Sequence, residues 1–296
     1  KISSTQSSAT QKVPNLDIKI DSLELDGKKV GKLELVSNTS KQNINIQKFK
    51  IVNDKNIFQA DGEWVDWNKN SKSNINFSWK INNLGDTLNF LGYPNFVKDG
   101  EADLSGQFRW PGNPLSFDKT KVDGSFNLDV RKGTIQKVEP GIGRLFGLVT
   151  LQSLPRRLSL DFRDLFGSGF VLDTMNASVR VNNGIMKTSN FRMNGPAAEV
   201  FMTGETNIIH ETQDLNVKVT PHISDSLSIA ALAGGPLVGA AAFIAQKILK
   251  DPLNKVLTSE YRIIGTWENP EEVNNSASDK IKTTIDNTKN LFNDKK

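Results

Sequence analysis

Alternation of apolar and polar residues is the dominant pattern along the chain. Four stretches carry it over three or four apolar positions: Ile75, Phe77, Trp79 and Ile81; Phe126, Leu128 and Val130; Leu158, Leu160 and Phe162; and Leu215, Val217 and Val219. Because successive side chains of a strand point to opposite faces, each stretch predicts a strand with one apolar and one polar face. Such strands are typical of antiparallel sheet with one solvated face.

Turn dipeptides separate these strands at hairpin-like intervals. They are Asp26-Gly27, Asn53-Asp54, Pro111-Gly112, Lys132-Gly133 and Asn183-Gly184, and each predicts a reversal of the chain. Shorter alternating stretches lie at residues 23–25, 33–35, 44–46 and 177–181. Between residues 44 and 51 the apolar phase slips at Lys48, which predicts a β-bulge.

A glycine recurs inside the predicted strands, often with an aromatic residue two positions later. The positions are Gly62, Gly106, Gly124, Gly204 and Gly265. Glycine inside a strand marks a bend or a close approach of another backbone, although glycine is also simply common in β proteins. The recurrence favours a repetitive meander over a Greek-key domain.

Helical patterns are few. Residues 84–92 fit one short helix, and residues 140–152 carry apolar positions at helical spacing just after Pro140. Residues 273–296 form a polar tail with one narrow apolar stripe. Residues 1–14 are rich in Ser, Thr and Gln, which predicts a disordered lead-in. The chain begins with Lys1, so we expect it to be part of a longer protein.

The long apolar stretch at residues 225–250 reaches the length of a membrane-spanning helix. Its centre is Gly234-Gly235-Pro236, which predicts two short helices instead. Such a hairpin could cap the open end of a sheet, or it could dock on a membrane surface with an apolar stripe in the headgroup region. The docking candidates on the second helix are Leu237, Val238, Phe243, Ile244 and Ile248.

Composition and motifs give no sign of catalysis, a cofactor or a metal. The 296 residues include no cysteine and two histidines, His210 and His222, without metal-binding spacing. The run at residues 141–147 departs from a dinucleotide fingerprint and lacks a βαβ context. A net charge of +4 without a dense basic patch argues against nucleic acid.

About a dozen or more one-sided strands must bury their apolar faces, and the predicted helices are too few to cover them. The sheet could fold on itself as a sandwich or closed barrel with a dry core, or it could curl into a trough completed by lipid acyl chains. Periodicity alone favours the sandwich, because sandwiches are common.

The C-terminal half resembles a known family. The blocks at residues 140–148 and 151–164, the latter reading LQSLPRRLSLDFRD, are similar to the C-terminal region of the YhdP family of AsmA-like Gram-negative envelope proteins. Supporting matches follow in order at residues 195–198, 211–215, 245–252, 260–262 and 265–267. Before residue 140 the local match is at residues 110–114.

This resemblance implies a mainly β fold: a curled, mostly antiparallel sheet, open or taco-like, with a few short helices towards the C-terminal end. Residues 15–139 would then be a β-sheet groove segment and residues 140–272 the AsmA-like C-terminal β region. It implies a periplasmic location, with an inner-membrane anchor in an N-terminal segment outside this chain.

The function implied by the resemblance is non-enzymatic phospholipid transfer between the inner and outer membranes. The thirteen alternating residues of the first paragraph are the groove candidates, chosen from the alternation alone. The alternative is a structural or assembly scaffold for outer-membrane biogenesis that holds no lipid. The sequence names no protein partner.

Overall fold

The computed structural model describes residues 14–40, 42–66, 70–136, 169–222 and 259–273. These residues form thirteen strands and one helix, which is α1 (Leu84–Phe90). The strands are β1 (Leu16–Leu25), β2 (Lys28–Ser40), β3 (Asn43–Val52), β4 (Asn56–Val65), β5 (Lys72–Ile81), β6 (Val97–Pro111), β7 (Asp123–Ile135), β8 (Phe170–Asn182), β9 (Ile185–Asn194), β10 (Ala198–Asn207), β11 (Thr212–Pro221), β12 (Ser259–Thr266) and β13 (Pro270–Val273).

The described strands form a single curled antiparallel sheet. They lie side by side in chain order from β1 to β13, and each is hydrogen-bonded to the strands that precede and follow it. The predicted meander is therefore confirmed. A sandwich would divide these strands between two sheets, whereas the described strands belong to one.

Most predicted turns lie between strands, but one does not. Asp26-Gly27 and Asn183-Gly184 join β1 to β2 and β8 to β9. The turn predicted at Lys132-Gly133 is wrong, because both residues lie within β7 and the pairing with β6 continues on either side of them. Lys132 has a φ of 53°, but the register of β7 to β6 and to β8 is the same on both sides of it. The strand therefore accommodates one left-handed residue without a bulge and without reversing the chain.

The bulge predicted at Lys48 is confirmed. Val36 of β2 lies opposite Lys48, but the next residue, Ser37, lies opposite Ile46, so one residue of β3 is skipped. The extra residue lets apolar side chains on both sides of the slip share one face of the sheet.

Glycines inside the strands permit close backbone approach, as predicted. At Gly204 φ is +132°, and a Cβ atom added there would lie 2.2 Å from the carbonyl oxygen of Asp214 on β11. At Gly106 the added Cβ would lie 2.3 Å from the carbonyl oxygen of Ser125 on β7. A side chain at either position would therefore displace the neighbouring strand.

Helix α1 lies where β5 passes into β6, in the segment where a short helix was predicted. The side-chain oxygen of Asn83 caps it by accepting a hydrogen bond from the backbone N–H of Asp86 at 2.8 Å. Gly85 brings the helix close to β6, since an added Cβ would lie 2.6 Å from the carbonyl oxygen of Val97. Leu84 and Leu88 pack against the hydrophobic core, which fixes the helix against the sheet.

Candidate functional site

One side of the sheet is apolar across twelve strands, and we call it the apolar face. In the middle of the sheet Trp79 lies opposite Leu104, Leu104 opposite Leu128, and Leu128 opposite Ala177. The same alignment continues through β10, β11 and β12, where Val200 pairs with Val219 and Leu215 with Ile263. The alternation seen in separate stretches therefore builds one continuous surface.

Exposure of the apolar face changes across the sheet. From β8 to β12 it is closed: Val200, Val219 and Ile263 are fully buried, with 0% exposure. On β5 and β7 the side chains of Phe77 and Phe126 are half-buried, and on the edge strand β1 Ile18 is 36% exposed. An extended apolar surface in contact with solvent is unusual for a soluble protein and marks a binding surface.

Five phenylalanines form a row across the open part of this face. The aromatic row consists of Phe49, Phe58, Phe77, Phe108 and Phe126, one from each strand from β3 to β7. Successive ring centroids are 6.1, 6.4, 5.3 and 6.2 Å apart, within the range of favourable ring contacts. The row crosses four strand spacings, or about 19 Å.

Glycines leave room for these rings. Gly106 lies opposite both Phe77 and Phe126, and Gly124 lies opposite Phe108. A large ring beside a residue without a side chain can lie across the neighbouring strand and meet the next ring diagonally. Two of the recurring glycines, Gly106 and Gly124, therefore form one structural feature with the aromatic row.

Helix α1 covers the apolar face at one end of the strands. Asn56 ties the helix to the sheet, because its side-chain oxygen accepts hydrogen bonds from Trp79 Nε1 and from Thr87 Oγ1, both at 3.1 Å. Lys55 Nζ lies 2.6 Å from an oxygen of Asp86 on the helix. A cavity of about 510 Å³ lies between the helix and the ends of β2 to β5.

The loop between β6 and β7 borders the apolar face at the opposite end. Phe117 in this loop is 54% exposed, and its ring lies 6.3 Å from Phe108 and 5.4 Å from Trp110. The backbone N–H and the hydroxyl of Thr120 donate to Asp118 and lower the pKa of its carboxyl to about 2. The open face is thus a trough that runs across the strands, with α1 on one side and this loop on the other.

The other side of the sheet is polar and carries cross-strand ion pairs. Arg131 contacts Asp103 and Asp129 at 2.6 Å each, and the hydrogen bond to Asp103 raises the pKa of the guanidinium. Arg262 forms two hydrogen bonds with Asp214 and lowers the pKa of that carboxyl. Paired charges at these half-exposed positions contribute little to stability, but they keep the polar side of the sheet hydrated.

A wider depression of about 790 Å³ lies mainly on the polar side, across β7 to β12. Its charged side chains include Lys187, paired with Glu205 at 2.6 Å, and Arg262, paired with Asp214. These groups satisfy one another, and the lining is polar. An apolar ligand therefore has a better site in the trough than in this depression.

Comparisons with known proteins identify the family. The family model described as "YhdP protein" matches residues 2–272. This chain belongs to the YhdP family. It is 29% identical over 214 residues to the intermembrane phospholipid transporter YhdP of Escherichia coli (strain K12), an alignment that covers 72% of this chain and 17% of that protein. The chain thus spans less than a fifth of the length of this relative. No solved structure matches it.

Two other kinds of feature are absent from the described part of this YhdP-family chain. Within the described residues, no group of three or more His, Asp or Glu side chains is arranged to hold a metal ion. The part of the chain that the structure describes also contains no helix long and apolar enough to cross a membrane.

The sequence-predicted groove residues that the structure describes all lie on the apolar face. Five are half-buried in or beside the trough: Ile75, Phe77, Trp79, Phe126 and Leu128. Five are buried: Ile81, Val130, Leu215, Val217 and Val219. Leu158, Leu160 and Phe162 lie outside the described residues, as do Leu237, Val238, Phe243, Ile244 and Ile248 and the helices predicted at 140–152 and 225–250.

The structure adds three aromatic residues that the alternating stretches missed: Phe49, Phe58 and Phe108. Phe108 could have been found, because it follows Gly106 by two residues, as Phe126 follows Gly124. Phe58 belongs to a strand whose apolar face continues through Ala60 and Gly62. These small residues hide the alternation, so hydropathy alone gave no signal there.

Proposed function

We propose that the trough is a phospholipid-carrying groove and that this chain is a non-enzymatic lipid-transfer module. The observation that carries the proposal is the aromatic row, half-exposed along a continuous apolar face and bordered by α1 and the β6–β7 loop. Acyl chains lying along the row would remove this surface from water, which is favourable by about 25 cal/mol per Å² of apolar area. The similarity to an intermembrane phospholipid transporter supports the same function.

The proposed groove runs across the strands, along the aromatic row. Acyl chains would pass from ring to ring at spacings of 5.3 to 6.4 Å without meeting a charged side chain. We further propose that the chain acts in the periplasm, as part of a longer protein anchored in the inner membrane, and that it moves phospholipid between the inner and outer membranes.

Lipid capture by a photoreactive residue tests this function. Benzoylphenylalanine at Phe108, in the row, should crosslink phospholipid during expression in a Gram-negative host, and mass spectrometry should identify the lipid. The same residue at Asn76, exposed on the polar side of β5, is the matched control and should capture none. If neither position captures lipid and solvent extraction of the purified chain yields none, the groove proposal is wrong, and the scaffold alternative replaces it.

A second proposal concerns the predicted helical hairpin at residues 225–250. We propose that Leu237, Val238, Phe243, Ile244 and Ile248 dock on the outer membrane at the delivery end of the groove. Replacing Phe243 and Ile244 with Ser should weaken flotation with liposomes while the melting temperature stays nearly unchanged. A large fall in melting temperature would instead identify the hairpin as a structural cap.

A further inference from the structure

The cavity beneath α1 has an apolar wall. Its volume of about 510 Å³ lies in the range of small-molecule sites. Phe90 and Leu91, at the C-terminal end of the helix, are 41% and 48% exposed, so the cavity opens to solvent beside them. The apolar lining residues are Val30, Ile51, Phe58, Trp79, Phe90 and Leu91. Because Phe58 also belongs to the aromatic row, the cavity continues into the proposed groove.

Two lysines at the start of β2 lie at the solvent opening of the cavity, which we call the mouth. Lys29 is one of the lining residues. Beside it, Lys28 donates a hydrogen bond from Nζ to the carbonyl oxygen of Phe90 at 3.1 Å and lies 5.4 Å from the centre of that ring. An ammonium group has three N–H donors, so Lys28 retains two for a ligand.

Two carboxylates also border this cavity. Asp54 lies in the turn between β3 and β4, and Asp86 lies in the first turn of α1. Both line the cavity. Lys55 pairs with Asp86 at 2.6 Å and offsets part of its charge. The mouth thus presents positive and negative groups around one apolar opening.

We propose that this mouth selects a zwitterionic phospholipid with a primary ammonium, a phosphoethanolamine headgroup, whose acyl chain enters beneath α1. The phosphate binds Lys28 and Lys29, and the ammonium binds Asp54 and Asp86. The proposal rests on the function proposed above and adds a headgroup to it. A headgroup that carries only negative charge would offer no cation to Asp54 and would be repelled by both carboxylates.

The test uses the full 296-residue chain with benzoylphenylalanine at Leu91, in the wall of this cavity, or at Phe117, on the opposite side of the trough. Each is mixed with vesicles that contain phosphatidylethanolamine, phosphatidylglycerol and diacylglycerol with identical acyl chains. Mass spectrometry then gives the ratio of captured lipids. Asp54→Asn and Lys29→Ala probe the mouth, because neither side chain belongs to the contacts that tie α1 to the sheet. Lys80→Ala, on the exposed polar side of β5, is the matched control.

At Leu91 we expect phosphatidylethanolamine to be captured about tenfold more than phosphatidylglycerol, as a few charge contacts would provide. Asp54→Asn should reduce this preference severalfold, and Lys29→Ala should lower capture of both phospholipids relative to diacylglycerol. Lys80→Ala should change neither ratio. At Phe117 the three lipids should be captured alike.

Equal capture of the two phospholipids at Leu91 in the parent chain would overturn the headgroup assignment. If lipid were still captured at Phe117, the groove proposal would stand. A preference that survives both Asp54→Asn and Lys29→Ala would overturn it as well. Absence of captured lipid at both Leu91 and Phe117 would overturn both the headgroup assignment and the proposed function.

Discussion

A negative charge placed on the apolar face should have opposite consequences in the open and the closed part. Phe77 lies half-buried in the aromatic row, whereas Val217 lies on the same face of β11 and is 2% exposed. We compare Phe77→Asp with Val217→Asp. Both introduce the same carboxylate on the same face, so a difference between them reports solvent access and not side-chain chemistry.

The expected cost at Val217 is large. Losing the buried side chain costs about 1.5–3 kcal/mol. A buried aspartate without a partner must be protonated, which at pH 7 costs about 4 kcal/mol because its ordinary pKa is about three units lower. The sum, roughly 6 kcal/mol, is comparable to the whole stability of a typical domain.

The expected cost at Phe77 is smaller. The substitution removes two ring contacts, with Phe58 at 6.4 Å and with Phe108 at 5.3 Å. Each such contact contributes about 0.5–1.5 kcal/mol beyond area burial. Loss of the area that the half-buried ring covers adds about 1 kcal/mol, and the new carboxylate remains hydrated in the trough, so we expect a total loss of roughly 2–4 kcal/mol. The chain should stay folded but lose lipid capture, because a charge now interrupts the row.

Urea unfolding followed by circular dichroism measures the two stabilities, and capture at Phe108 measures lipid. Val217→Asp should be unfolded or nearly so in buffer, whereas Phe77→Asp should show a cooperative transition and no lipid. Equal destabilisation by the two substitutions would show that the aromatic row is ordinary core. A folded Phe77→Asp variant that still captures lipid would show that the row does not carry it.

Three further predictions follow from the fold. Gly204→Val should destabilise the sheet by several kcal/mol in urea unfolding, because φ is +132° and the new Cβ would lie 2.2 Å from a carbonyl oxygen of β11; unchanged stability would contradict the close approach. Asn56→Ala should cost about 1–3 kcal/mol and Asn56→Asp less, since the aspartate keeps an acceptor for Trp79; equal losses would refute this role. The Asp118 carboxyl should have a pKa of about 2 by NMR. Its hydrogen bonds from Thr120 should therefore contribute fully to stability above the ordinary pKa of 3.8, and this contribution should be lost as pH falls through about 2. Thr120→Val should raise the pKa of Asp118, and an unchanged pKa would contradict this role of Thr120.

Much of the fold could be predicted because its signals are local. Alternation identified β5, β7 and β11, and the slip at Lys48 identified the bulge in β3. Lys132-Gly133 resembled a hairpin turn, yet the chain continues straight through it. A two-residue signal specifies backbone dihedral angles, but the pairing of the flanking residues with β6 and β8 decides whether the strand reverses or continues.

The candidate site could be predicted only in outline. Leu215, Val217 and Val219 show the same alternation as Ile75, Phe77 and Trp79, yet the first set is buried and the second is half-exposed. Alternation reports which face a side chain shares with its neighbours, while its exposure depends on groups distant in sequence. The paired charges at the mouth beneath α1 come from three separate segments, and no sequence spacing connects them.

The order of the strands has a consequence for how such a protein can change length. Because each described strand pairs with its neighbours along the chain, the sheet resembles a linear array in which every unit touches only the adjacent ones. Inserting or deleting one hairpin would shift the two edges by about 10 Å and leave every other pairing intact. Evolution could therefore lengthen or shorten this sheet one hairpin at a time without redesigning its core.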